Sequence, residues 1–194
     1  MKSLNKSLLV SLMSIIFIVA LFAGNSPDNS RVENFKLKDY NGKEHQLTDF
    51  KNSKAIVIMF IATQCPVSNA YNERMAQIHK DFKNKGIFFI GINSNKQEDV
   101  GEIKEHAEEN DFGFIILKDE KNIVADKFNA SVTPEVYVLN QNLEVLYHGR
   151  IDDSRDVGKV KNHDLRNVLD EILSGKKITT TQTKAFGCTI KRVG

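Results

Sequence analysis

The sequence predicts an α/β domain built on a mixed central sheet flanked by helices. Three observations carry this. Apolar runs rich in branched residues, "KAIVIMFIA", "IFFIGIN" and "FGFIIL", read as strands covered on both faces. Between them lie stretches of helical period or helix-forming composition, and that alternation calls for parallel strands joined by helices. A closing pair of apolar runs around a turn adds antiparallel strands.

Taken in order, "VENFKLKDYNGKEHQLTDF" opens the domain at Val32 as a hairpin, with Asn41-Gly42 at its turn. Lys54–Ala62 is the first central strand. From Ser68 to Lys85 the period becomes helical, with Tyr71, Met75, Ile78 and Phe82 on one face, and Gly86 ends the helix. Ile87–Asn93 is the second buried strand. Lys96–Asn110 is polar and helix-prone, and Phe112–Leu117 is the third strand.

A short helix is predicted around Asn122–Phe128, then strands at Val136–Leu139 and Glu144–Ile151 with a turn at Asn140–Asn142. Asp164–Gly175 is an amphipathic helix with Leu165, Val168, Leu169, Ile172 and Leu173 facing inward. The domain therefore spans 32–175, and 176–194 is expected to be an irregular tail carrying Cys188. No internal repeat appears.

The N-terminus differs in kind. Lys2 and Lys6 precede an apolar core, Leu8–Phe22, broken only by Ser11 and Ser14. A basic start followed by a short apolar core reads residues 1–24 as an export signal or an N-terminal membrane anchor. Residues 25–31 (NSPDNSR) form a polar linker. The domain is then expected outside the cytoplasm, periplasmic or secreted, where disulfides persist. A net charge of +2, from 27 basic and 25 acidic residues that alternate, points away from nucleic acid as a partner.

Cys65 is one of two cysteines in the chain. It sits between the first central strand and the first long helix. Pro66 suits a first helical turn, because it lacks the N–H that would go unpaired there. The helix start then presents free amides to the sulfur and favours the thiolate, below the free-thiol pKa of about 8.5. Ser68 faces the same helix end and offers a hydrogen bond to a thiolate, but it cannot form a disulfide. The plainer alternative is a small buried hydrophobe at a strand end.

The apolar strand, "CPVS" at a helix start and Val132-Thr133-Pro134 further on resemble the thioredoxin fold. The hairpin and the helix–strand insertion Lys96–Leu117 are similar to its redoxin branch, the AhpC/TSA-type peroxiredoxins and extracytoplasmic thiol oxidoreductases. "CPVSNAYNERM", "GRIDDS" and "GCTIK" resemble a peroxiredoxin-like group of exported redoxins. The resemblance implies a cis peptide at Thr133-Pro134, with Thr133 offering its backbone to an incoming substrate beside Cys65. It implies a thiol oxidoreductase or thiol peroxidase that takes a disulfide or a peroxide, is recycled by a thiol reductant and needs no cofactor.

The chain departs from both patterns. Ser68 replaces the second cysteine of Cys-x-x-Cys. A peroxiredoxin's reactive cysteine would stand at Ser68, with threonine three residues earlier, whereas three before Cys65 is Ala62. Cys188 is a candidate resolving cysteine, with Gly187 allowing close approach; a structural bridge and two unpaired thiols remain open alternatives. A non-catalytic redoxin-like protein that binds a partner or senses redox state through a Cys65–Cys188 switch is a second functional reading.

Other signals are weaker. No two of the five histidines have metal-ligand spacing. His79 and His106 are expected in solvent, and the acidic helix Glu102–Glu109 as a wet face. A copper site joining His148 to Cys65 is a third reading. Arg150, Asp152 and Asp153 read as a charged strand end and turn.

Overall fold

The computed structural model describes residues 31–194. The export or anchor segment 1–24, and the linker up to Ser30, lie outside the described residues. Seven strands form the main sheet: β1 (Lys36–Asp39), β2 (Glu44–Gln46), β3 (Ala55–Phe60), β4 (Ile87–Asn93), β5 (Ile115–Lys118), β7 (Glu135–Leu139) and β8 (Val145–Gly149). Their order is β2-β1-β5-β4-β3-β7-β8. The three central strands β3, β4 and β5 run parallel, while β7 and β8 continue antiparallel on one side. The N-terminal hairpin closes the other side, β1 pairing antiparallel with β5.

Strand β3 is buried along its whole length because both faces are covered. Ala55, Val57 and Met59 point into a cluster with Met75, Ile78 and Phe82 of helix α2 (Asn72–Phe82), Ile103 of α3 (Val100–Glu109), and Leu165, Val168 and Leu169 of α5 (Asp164–Leu173). Ile56, Ile58 and Phe60 point the other way, toward Val124 and Phe128 of α4 (Ile123–Phe128) and the base of the hairpin. The period of two in the strand thus meets helices on each face. Among the described residues no helix is long and apolar enough to cross a membrane.

Most boundaries follow the local signals. Gly86, at φ 87, supplies the left-handed residue that stops the turn after α2. The predicted helix Ser68–Lys85 is in fact two pieces: a four-residue turn, α1 (Pro66–Asn69), then α2. The apolar period continued across Ala70 and Tyr71, so pattern alone did not show the break. The third strand begins at Ile115, three residues later than expected; Phe112 and Phe114 instead pack on each other in the core.

His79 is not in solvent. It is 7% exposed and lies edge-on between Phe89 and Phe114. Burial, reinforced by Lys83 and Lys80, lowers its pKa. His106 is partly buried against Phe112 and bonded to Asn72. Charged residues elsewhere on these helices masked the inward face. Arg150 pairs with Asp164 at 2.7 Å, and Asp152 receives Arg74 at 2.6 and 2.7 Å, so these charges brace the strand end and the following loop.

Candidate active site

Cys65 is joined to Cys188 by a disulfide spanning 123 residues, with Cα atoms 6.0 Å apart. Cys65 caps α1, and the Ser68 backbone N–H donates to its Sγ at 3.3 Å. The Ser68 contact is therefore made by the main chain. Its hydroxyl accepts instead from the Ala62 N–H at 3.3 Å, tying the end of β3 to the helix start. Because α1 is a single turn, this local amide, more than a long-helix dipole, is what meets the sulfur.

The Thr133-Pro134 peptide is cis. The carbonyl oxygen of Thr133 lies 3.5 Å from Cys65 Sγ. The structure thus brings together all six residues singled out in the sequence: Cys65, Pro66, Ser68, Thr133, Pro134 and Cys188. The Thr133 backbone is already engaged, however. Strand β6 (Val132–Thr133) pairs antiparallel with β9 (Cys188–Thr189), Thr133 opposite Cys188. Gly187 is needed at that crossing: a Cβ there would fall on the Thr133 carbonyl group.

The tail is not irregular in the sense expected. Thr183 donates its N–H to the His148 carbonyl, and His148 donates its own to Thr181, along the free edge of β8. The Thr183 hydroxyl meets Tyr147 Oη at 2.7 Å. Beyond β9, Ile190 is 3% exposed, buried with Phe60 and Phe128 in one core cluster. Such mixed polar and apolar anchoring has no period, so the composition of 176–194 concealed it.

Three acids and a lysine at the site were missed from the sequence. Glu98, 1% exposed, accepts from the backbone N–H groups of Thr63 (2.8 Å) and Gln64 (3.2 Å), just ahead of Cys65. Glu102 accepts from the Thr63 hydroxyl and from Gln64 Nε2, so one end of the supposed wet face grips this loop. Lys118 donates to the Asn95 and Glu98 carbonyls at 2.6 Å each, and burial lowers its pKa. Only burial distinguishes these residues from surface charges, and burial is a tertiary fact.

Glu135 follows the cis-proline. Its Oε2 accepts from Ser131 N–H (2.8 Å) and Val132 N–H (3.1 Å), and its Oε1 lies 2.6 Å from His148 Nε2. Burial opposes ionisation of this carboxyl, but the bonds from His148 and the two amides outweigh it and hold the pKa below the usual value. His148 is thereby committed to Glu135 and stacks on Tyr137, contrary to a copper site shared with Cys65. Among the described residues no group of three or more His, Cys, Asp or Glu side chains is placed to hold a metal ion.

A cysteine pair at the start of a helix, against a cis-proline loop on a mixed sheet, defines a thioredoxin-like redoxin. Residues 29–148 match the AhpC/TSA family, and the chain belongs to that family. It is 30% identical over 133 residues to the thiol-disulfide oxidoreductase ResA of Bacillus subtilis, covering 66% of this chain and 70% of that protein. It is 25% identical over 148 residues to the chloroplastic peroxiredoxin Q of Oryza sativa subsp. japonica (72% and 67%). A hypothetical protein from Sinorhizobium meliloti 1021 superposes with a TM-score of 0.79 at 31% identity, over 86% of this chain and 94% of that one. A secreted disulfide oxidoreductase from Mycobacterium tuberculosis shares the fold, with a TM-score of 0.56 at 16% identity over 73% and 95% of the two chains.

Proposed function

We propose that this chain is an exported thiol oxidoreductase that cycles between a Cys65/Cys188 dithiol and the Cys65–Cys188 disulfide. The single observation that carries the reading is that disulfide, set at the start of a helix within 3.5 Å of the cis-proline loop. Cys65 is the nucleophile, since Pro66 leaves the first turn open and the Ser68 N–H stabilises its thiolate. Cys188 resolves the intermediate. With a disulfide as oxidant, Cys65 forms a mixed disulfide that Cys188 displaces. With a peroxide, Cys65 becomes a sulfenic acid and Cys188 condenses with it, releasing water. Export is supported by the basic start and apolar core of residues 1–24.

The test compares turnover of a model disulfide and of hydrogen peroxide, using reduced protein and its Cys65→Ser and Cys188→Ser variants. Cys65→Ser should abolish both reactions. Cys188→Ser should stop after one equivalent, leaving a trapped sulfenic acid or mixed disulfide at Cys65. Full turnover by Cys65→Ser would refute the assignment. A disulfide that forms and opens without catalytic turnover would make the protein a redox sensor instead.

A further inference from the structure

The two sulfurs are not equivalent. Cys65 is 5% exposed, while Cys188 is only partly covered and Thr189 beyond it is open to solvent. The main-chain edge of Val132 and Thr133, along which an extended substrate segment would pair, carries β9 instead. That strand is held on both flanks. On one side Thr183 is fastened to His148, Tyr147 and Arg150. On the other, Ile190 is buried and its N–H donates to the Ser131 carbonyl. Lys191 N–H donates to Asn95 Oδ1 at 2.7 Å, and Val193 N–H donates to Asn122 Oδ1 at 2.7 Å. None of these contacts involves either sulfur.

We infer, resting on the redox reading above, that the oxidised protein is reduced by a low-molecular-weight thiol entering at Cys188, with the tail staying docked throughout. A thiolate attacks Cys188 Sγ, forming a mixed disulfide there, and the bond to Cys65 breaks. The electron pair leaves on Cys65, whose thiolate keeps the Ser68 N–H as donor. A second thiolate attacks the outer sulfur of the mixed disulfide. It releases the oxidised small thiol as its disulfide, and the Cys188 thiolate takes a proton from water. The net change is two thiols oxidised to one disulfide and the protein disulfide reduced to two thiols. While β9 lies on β6, a cysteine within an extended peptide cannot pair its main chain along Thr133, so the docked tail gives a peptide no advantage over a small thiol at Cys188.

The test treats the oxidised full-length chain with glutathione, quenches at early times with N-ethylmaleimide, and maps both cysteines by mass spectrometry. Glutathione on Cys188 with maleimide on Cys65 is the expected result. Glutathione on Cys65 with maleimide on Cys188, or an even split, overturns the inference. In a second arm, a cysteine-containing decapeptide at equal thiolate concentration should react no faster than glutathione, because β9 holds the edge along which its main chain would pair. A peptide rate ten-fold or more above that of glutathione also overturns it. A disulfide that neither glutathione nor dithiothreitol opens would refute the redox cycle itself, an outcome distinct from attack at the wrong sulfur.

Discussion

Asn95 links Lys191 to Glu98: Lys191 N–H donates to Asn95 Oδ1 at 2.7 Å, and Asn95 Nδ2 donates in turn to Glu98 Oε1 at 3.0 Å. Glu98 in turn holds the Thr63 and Gln64 amides before Cys65. One loop after β4 therefore steadies both the strand end carrying Cys65 and the tail carrying Cys188. Asn95→Ala leaves Lys191 N–H without its acceptor and Glu98 short of one donor. The expected cost is about 1–3 kcal/mol, with slower formation of the Cys65–Cys188 disulfide on oxidation. Stopped alkylation after a pulse of oxidant measures that rate; an unchanged rate would separate the loop from the chemistry.

Gly187→Ala places a methyl group on the Thr133 carbonyl. Either β9 or the cis-proline loop must move, at about 1–3 kcal/mol for forced overpacking. Chemical denaturation of the oxidised protein should show the loss. A variant as stable as the parent would mean that the β6–β9 crossing is looser than the register suggests.

The disulfide closes a long loop, since its cysteines are 123 residues apart. Restricting the unfolded chain over such a span is worth about 4–5 kcal/mol. Urea midpoints of the oxidised protein and of reduced protein should differ accordingly, with the oxidised form the more stable. Equal midpoints would show that the bond costs the folded state about as much as it takes from the unfolded one.

Glu135 accepts four hydrogen bonds in a buried position: from Ser131, Val132, Tyr137 and His148. Glu135→Ala leaves those donors without their acceptor, at about 1–3 kcal/mol. It should also slow the redox cycle, because two of the donors belong to the loop that ends in Thr133-Pro134. Glu135→Gln, which keeps an acceptor oxygen, should recover part of both losses.

His79 makes stability fall in mild acid. Its pKa is lowered in the folded protein by burial, so the unfolded chain binds the proton first. The stabilising contribution is complete above the unfolded value of about 6.5 and is lost as pH falls through the lower folded value. Thermal midpoints measured from pH 7.5 downward should show this decline. His79→Leu should flatten that part of the profile; a slope unchanged in the variant would assign the effect to other groups.

Much of the site was legible because its signals are local. Cys65-Pro66 marks a strand end and a helix start, and Thr133-Pro134 marks the second loop by family resemblance. Gly187 stood out as a neighbour of Cys188, although its value proved to be the absence of a Cβ at a strand crossing. Glu98 and Glu135 stayed hidden because a buried acid and a solvated one look alike in a polar stretch.

By itself, the sequence determined the strand and helix order, the two covered faces of β3, and the placing of a cysteine at a helix start. These depend on periodicity and on the backbone preferences of proline and glycine, which act within a few residues. Tertiary structure decided that Cys188 meets Cys65, that β9 takes up the Thr133 backbone, that His79 is buried and that Glu98, Glu102 and Glu135 hold the flanking loops. Those outcomes join positions far apart in the chain, and they depend on packing and hydrogen-bond satisfaction that no local pattern encodes.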